Sequence, residues 1–140
     1  MLLGNFWGAR ILLLSDLSRA GQSELLSHPK DLHADIVVAG LPTGGEPLCD
    51  ALITAIQPKI IIIADSELPA TCRASRTLQQ RMEQAKVPVL YTRTVGAVKI
   101  VTDKRGWELQ TMKGQKFEDR QGHRAAMSGR LTAASLPLTR

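Results

Sequence analysis

The sequence contains little of what metal and thiol chemistry requires. Among its 140 residues are only two cysteines, Cys49 and Cys72, and three histidines, His28, His33 and His123. The cysteines lack CxxC spacing, so neither a disulfide framework nor a zinc knuckle is expected. No serine stands in a Gly-x-Ser-x-Gly motif, which argues against an α/β-hydrolase nucleophile. Zinc enzymes built on His and Cys clusters and serine hydrolases are therefore disfavoured.

Long hydrophobic runs are also missing. The apolar runs at residues 11–14 and 60–64 are far shorter than the about 20 residues that a membrane-spanning helix needs. The first residues lack the basic segment and the small-residue cleavage site of a secretory signal. We therefore expect neither a transmembrane segment nor an export signal, while membership of a membrane-associated assembly stays open.

Positive charge is concentrated towards the end of the chain. With 44% hydrophobic and 22% charged residues, the composition is that of one globular domain. The net charge is +5, and residues 113–140 supply +4 of it in a stretch without helical or alternating periodicity. We predict a folded domain at residues 1–112 and a basic flexible tail at residues 113–140.

The tail offers basic side chains that could contact nucleic acid. Its candidate residues are Lys113, Lys116, Arg120, Arg124 and Arg130. The alternative is a solvated terminus without a ligand, because charged runs usually face water.

Between residues 9 and 112, apolar strands alternate with amphipathic helices. Strands are predicted at residues 9–14, 35–39, 59–64, 89–92, 97–102 and 107–112, and helices at residues 18–27, 48–56 and 75–86. The strongly β-branched run at 59–64 is predicted inside a sheet covered on both faces. Gly96 is predicted to take a positive φ in a hairpin turn. The fold class is α/β, in the order β-α-β-α-β-α-β-β-β, with helices flanking the sheet and a closing meander.

Polar residues follow three of the predicted parallel strands. Open α/β sheets bind ligands at the carboxyl ends of their strands. In this chain those ends bring together a set that we call the carboxyl edge: Ser15, Asp16, Thr43, Gly44, Asp65 and Ser66. Asp16 is the best candidate for a metal ligand. The alternative is a helix N-cap, a role that Asp and Ser favour, and Asp65 and Ser66 have the same two interpretations.

The loop at residues 40–45 could bind a phosphate through its backbone amides. It lacks the Lys-Ser/Thr pair of a P-loop, however, and Glu46 follows it directly. A plain turn is the alternative.

Several segments together resemble the C-terminal half of the metallo-β-lactamase-like domain of ComEC-type DNA-uptake competence proteins. They are RILLLSD at 10–16, ELL at 24–26, ADIVV at 34–38, PKIIII at 58–63, VLYT at 89–92 and GAVKIVTD at 96–103. The resemblance spans residues 9–110 and implies a metallo-β-lactamase-like half-domain. It also implies that Asp16 matches an aspartate that binds metal in the family.

The other family motifs are replaced. A His-His-Gly-Ser motif is matched by residues 41–44, of which Leu41 and Pro42 cannot coordinate a metal, and a His-Pro motif is matched by Leu68-Pro69. Arg93 stands where an acidic residue usually follows the threonine matched by Thr92. The N-terminal half, with its His-x-His-x-Asp-His cluster, has no counterpart in the sequence.

The resemblance therefore implies a catalytically degenerate domain without a cofactor, with nucleic acid as a candidate partner. The alternative is a metal-dependent hydrolase of the phosphodiesterase or nuclease type. It would use zinc or manganese and be completed by a missing N-terminal half or a partner chain. A larger membrane competence protein and a second copy of the chain are further candidate partners, and a phosphate or nucleotide binder using the loop at 40–45 is a weaker third class.

Overall fold

The computed structural model describes residues 1–28, 31–43 and 46–120. The strands are β1 (Leu2–Phe6), β2 (Ala9–Ser15), β3 (Ile36–Ala39), β4 (Ile60–Ile63), β5 (Val89–Tyr91), β6 (Val98–Asp103), β7 (Gly106–Thr111) and β8 (Lys116–Arg120). The helices are α1 (Arg19–Ser27), α2 (Asp50–Ile56), α3 (Arg76–Gln84) and α4 (Thr92–Val95), with a short 3-10 helix at Ala70–Cys72. Over these ranges, every helix is too short or too polar to cross a bilayer.

The first five strands form one mixed sheet. Their spatial order is β1-β2-β3-β4-β5, with β1 antiparallel to β2 and all later neighbours parallel. Parallel neighbours need a crossover connection, and α1, α2 and α3 provide the three that occur here. All four isoleucines of β4 are buried. The prediction of an internal strand covered on both faces is confirmed.

Helices α1, α2 and α3 cover one face of this sheet. Ser18 and Ser75 cap α1 and α3: their hydroxyls accept hydrogen bonds from the amides of Gly21 (3.5 Å) and Leu78 (3.1 Å). The apolar stripes of α2 and α3 pack against alternate strand residues. This cluster includes Leu52, Ile56, Leu78 and Met82 from the helices and Leu12, Leu14, Val37, Ile61 and Ile63 from the strands.

A three-stranded antiparallel sheet, β6-β7-β8, covers the opposite face. Trp107 and Leu109 of β7 are buried against strand residues that alternate with those of the helix side. These are Ile36, Ile60, Ile62 and Leu90. The layers are therefore helices, five-stranded sheet and three-stranded sheet, which confirms a mixed α/β fold.

The predicted hairpin around Gly96 is wrong. Residues 92–95 form α4 directly after β5, and β5 and β6 belong to different sheets. Gly96 does have a positive φ of 75°, with ψ −157°, a combination open almost only to glycine. A Cβ there would lie 3.0 Å from Cβ of Met112. The glycine thus carries the chain from one sheet to the other.

Strand β1 lies where the sequence predicted no element. It forms a two-residue hairpin with β2, and Trp7 and Gly8 both take positive φ, at 53° and 86°. This is the type I′ geometry that matches the twist of a hairpin. The side chain of Asn5 accepts a hydrogen bond from the amide of Gly8 (3.2 Å) and holds the turn.

The predicted boundary at residue 112 needs correction. Residues 116–120 form β8, which pairs with β7, so the three-stranded sheet continues past the point where the flexible tail was predicted to begin. Phe117 packs into the cluster between the sheets. A single aromatic residue in a polar stretch of sequence does not predict such a contact. Arg124 and Arg130 lie outside the described residues.

An ion-pair group ties the two sheets together at the amino ends of the parallel strands. The carboxylate of Asp35 is almost fully buried and accepts a hydrogen bond from the amide of Arg10 (2.8 Å). Nζ of Lys59 lies 2.6 Å from Oδ1 of Asp35 and also pairs with Asp119 of β8. Lys59 therefore links the start of β4 to the far strand of the other sheet.

These contacts shift the titration of both groups. Burial alone would raise the pKa of Asp35, but the hydrogen bonds from Arg10 and Lys59 outweigh it and hold the pKa below 3.8. Burial would lower the pKa of Lys59, but its hydrogen bonds to Asp119 and Asp35 outweigh that effect and raise the pKa above 10.5.

Asp35 should therefore govern part of the acid stability. A lowered pKa means that the group stabilises the fold above its unfolded pKa of about 3.9, and that this contribution is lost as the pH falls through the folded pKa. We expect Asp35→Asn to lower the free energy of unfolding by about 1–3 kcal/mol at neutral pH and to flatten its decline below about pH 4. Urea unfolding across that range measures both effects.

The matched control is Asp31→Asn, which removes the exposed carboxylate that pairs with Arg10. Its cost should be the smaller of the two, since exposed ion pairs contribute little. Equal acid declines in the parent and Asp35→Asn would contradict the assignment.

Candidate functional site

The carboxyl ends of β2, β3 and β4 meet at one edge of the sheet, as predicted. The amide of Gly40 donates to the carbonyl of Ser15 (2.9 Å), and the amide of Ala64 donates to the carbonyl of Ala39 (2.8 Å). These bonds extend the parallel ladder by one step beyond the strands. Ser15, Asp16, Thr43, Asp65 and Ser66 therefore lie along this edge, while Gly44 falls outside the described residues.

Asp16 lies at the exposed end of β2. It does not cap α1, because Ser18 fills that position. The N-cap interpretation of Asp16 is therefore wrong. Ser15 takes a positive φ of 52° beside a register shift in the β2–β3 pairing, which turns the chain outward before Asp16.

Gly40 accommodates the carboxylate of Asp16. A Cβ at Gly40 would lie 2.1 Å from Oδ1 of Asp16, a distance that no side chain could tolerate without displacing the carboxylate. Within the part of the chain described, the Asp16 carboxylate makes no hydrogen bond to another residue. The absence of a side chain at Gly40 leaves room for it.

Asp65 has a different surrounding. Its side chain is completely buried, at 0% exposure, and Oδ1 accepts a hydrogen bond from the amide of Arg93 (2.9 Å). Nε of Arg93 lies 3.3 Å from Oδ2. The hydroxyl of Thr92 donates to the carbonyl of Asp65 (2.7 Å) and accepts a hydrogen bond from the amide of the same residue (2.9 Å). Asp65 thus fixes the beginning of α4 from the segment that follows β4.

Arg93 belongs to a small charged group on the same edge. Its guanidinium also contacts Glu67 (Nη1 to Oε2, 3.2 Å), and Glu67 pairs in turn with Arg73 (2.5 Å). Hydrogen bonds to Glu67 and Asp65 raise the pKa of Arg93. Burial, and then the charge of Asp65, raise the pKa of the nearby Tyr91 phenol.

Ser66 and Thr43 complete the described part of the edge. The Ser66 hydroxyl donates to the carbonyl of Leu68 (2.7 Å), so it stabilises its own loop. Thr43 is exposed. Of the predicted set, Asp65 and Ser66 serve the fold, whereas Ser15, Asp16 and Thr43 face solvent.

The loop proposed as a phosphate cradle is followed by a segment that makes protein contacts. Glu46 pairs with Arg81 of α3 (2.7 Å). The buried Gln22 accepts a hydrogen bond from the amide of Cys49 (2.8 Å) and donates to the carbonyl of Glu46 (2.7 Å). These contacts connect α1, α3 and the start of α2, so the segment after the loop holds the helix layer together.

The placement of the acidic, histidine and cysteine side chains decides whether they could hold a metal ion. Across residues 1–28, 31–43 and 46–120, no group of three or more His, Cys, Asp or Glu side chains is placed to hold an ion. His28 bonds to the carbonyl of Glu24 at the end of α1 (2.8 Å), and His33 follows Asp31 near the amino ends of the strands. His123 lies outside the described residues.

Sequence reasoning missed the roles of Arg93, Glu67 and Arg73. In the sequence, Arg93 stands out only as a departure from the family pattern. Its position two residues after the end of β5, the strand that pairs with β4, is the signal that could have identified a partner for Asp65.

Comparison with protein-family models, curated proteins and solved structures found no match for this chain.

The two aspartates of the edge should respond differently to substitution. Asp65→Ala leaves the Arg93 amide and guanidinium without their buried acceptor, so we expect it to lower the free energy of unfolding by about 2–4 kcal/mol. Asp16→Ala removes an exposed carboxylate and should change it by less than about 0.5 kcal/mol. Urea unfolding of both variants tests the assignment, and a larger effect of Asp16→Ala would reverse it.

Proposed function

We propose that the chain is a non-catalytic metallo-β-lactamase-like half-domain of the ComEC type that binds nucleic acid through its phosphates. Its architecture supports this proposal, since the resemblance implies an α/β half-domain and the chain has a largely parallel sheet with crossover helices. The segments that carry the resemblance include strands β2, β3, β4 and β5, which together position the carboxyl edge.

The guanidinium of Arg93 is the observation that carries the non-catalytic part. The resemblance implies an acidic residue at this position and a metal site at this edge. Arginine is always protonated in proteins, so a permanent positive charge stands beside Asp65 and Glu67. That charge repels a divalent cation and already satisfies the buried carboxylate.

Metal content tests this part directly. We expect the purified full chain to hold less than one equivalent of zinc or manganese, because Asp16 is the one matched ligand that remains. Elemental analysis of protein prepared without chelator measures the ratio, with Asp16→Ala as the matched variant. One equivalent or more in the parent, absent from Asp16→Ala, would favour the metal-dependent hydrolase instead.

Three exposed lysines support the nucleic-acid part. Lys99 of β6 and Lys116 of β8 are both cross-strand partners of Gln110, so they share the outer face of the three-stranded sheet at about 10 Å separation. Lys113 lies in the turn at the same end of that sheet. None of the three forms an ion pair with another described residue.

Arg120 differs from these lysines. It pairs with Glu108 (2.6 Å) and Glu118 (3.1 Å) on the same sheet face, so two carboxylates compete with any phosphate. Among the members of the predicted tail set that the structure describes, Lys113 and Lys116 therefore have no competing carboxylate, and the structure adds Lys99.

Binding through these lysines should weaken steeply with salt. Each phosphate of a single strand that a lysine neutralises adds about 0.7 to the slope of log K against log salt, so replacing Lys99, Lys113 and Lys116 by Gln should reduce that slope by about 2. Fluorescence anisotropy with a labelled single-stranded oligonucleotide at several salt concentrations measures the slope.

The control replaces three exposed cations on other surfaces, Arg19, Arg76 and Lys86, by Gln, which changes the net charge equally. It should lower the slope far less. Equal changes of the slope in both triple variants would show that binding depends only on the net charge of the chain. An affinity that does not change with salt concentration would contradict binding through phosphates.

A further inference from the structure

Strand β1 forms an open edge of the five-stranded sheet. It pairs with β2 on one side and with no described strand on the other, so part of its backbone N–H and C=O groups point away from the sheet. Natural edge strands are usually protected by charged side chains, proline or bulges. Its sequence, Leu-Leu-Gly-Asn-Phe, has no charged residue and no proline. The edge can therefore accept a further strand.

One face of the β1–β2 hairpin is also apolar and uncovered. Leu2 stands directly opposite Leu13, and these residues are 63% and 40% exposed. Phe6, at 49% exposure, is on the same face, and its ring lies over Gly4. This face continues the side of the sheet that β6, β7 and β8 cover farther along. The three-stranded sheet leaves this end of it open.

The distribution of charge along the chain bears on which partner can pair with strand β1. Of the net charge of +5, residues 113–140 carry +4 and residues 1–112 only +1, so repulsion between two copies comes mainly from the later part of the chain. Residues 1–9 contain no charged side chain, and the first is Arg10. A contact between two β1 edges therefore brings together the least charged stretch of each copy.

We propose that two copies of this chain dimerise by antiparallel pairing of their β1 strands. A two-fold axis at Gly4 places Leu2 of one copy opposite Phe6 of the other, because positions equally far from the axis face each other. The pairing joins both five-stranded sheets into one continuous sheet. It also brings Leu2, Phe6 and Leu13 of both copies into contact.

The area of the interface indicates how strongly two copies should associate. The exposed parts of Leu2, Phe6 and Leu13 amount to about 300 Å² per copy, within the size range of a functional apolar patch. With the paired backbone, the interface falls near or below the ~1,200 Å² total of stable complexes. The dimer is therefore weak and reversible.

A charge exchange tests both the interface and its register. Leu2→Lys and Phe6→Glu each place an unpaired charge in the contact, and each should render the chain monomeric. The double variant pairs Lys at position 2 with Glu at position 6 of the other copy, so it should restore the dimer. Sedimentation velocity from low to high micromolar concentration measures the association, and thermal melts verify that each variant folds.

Val101→Lys is the matched control, since Val101 is an exposed apolar strand residue on the other sheet and the change adds the same charge. It should dimerise like the parent. A parent chain that is monomeric at every concentration, or a dimer unaffected by Leu2→Lys, would overturn the proposal. Monomeric behaviour of both single variants without rescue in the double would reject the Gly4-centred pairing. A monomeric chain whose oligonucleotide binding weakens in the charge-neutral variant Phe6→Ala would assign this face to nucleic acid instead.

Discussion

The fold depends on the need to bury both faces of β4. Its four consecutive isoleucines point alternately to opposite sides of the sheet, and all four are withdrawn from water. Ile61 and Ile63 need the helix layer, while Ile60 and Ile62 need the three-stranded sheet. At about 1.5–3 kcal/mol for each fully buried large apolar side chain, neither layer is dispensable. The two layers therefore bury opposite faces of the same strand.

The alternation of strands and helices could be predicted because its signals are local. Apolar runs, the spacing of Leu78 and Met82 and the stop at Pro58 each mark an element without reference to distant parts of the chain. Two of the missed elements, β8 and α4, are set by tertiary contacts. β8 exists because Phe117 reaches the cluster between the sheets, and α4 exists because Asp65 accepts from the amide of Arg93. Neither contact can be recognised from a local stretch of sequence, because the residues that it joins are far apart in the chain.

The carboxyl edge was likewise predictable only in part. Parallel strands dictate that Asp16 and Asp65 share an edge, and this was predictable from the topology alone. Their different surroundings were not, since each follows an apolar strand and precedes a loop. The difference comes from the adjacent chain segment: Arg93 lies beside Asp65, whereas Gly40, which has no side chain, lies beside Asp16. The chemical character of such an edge is decided by the residues at the end of the adjacent strand.

The three-stranded sheet has a consequence for how the molecule forms. Residues 98–120 are contiguous, and their strands pair only with sequence neighbours, so this sheet closes short loops and can assemble early. The five-stranded sheet instead requires crossovers that bring distant segments together. Lys59, joined to both Asp35 and Asp119, connects the two sheets. The same contiguity makes residues 98–120 one cooperative unit, whose loss would expose Ile36, Ile60 and Ile62 to water.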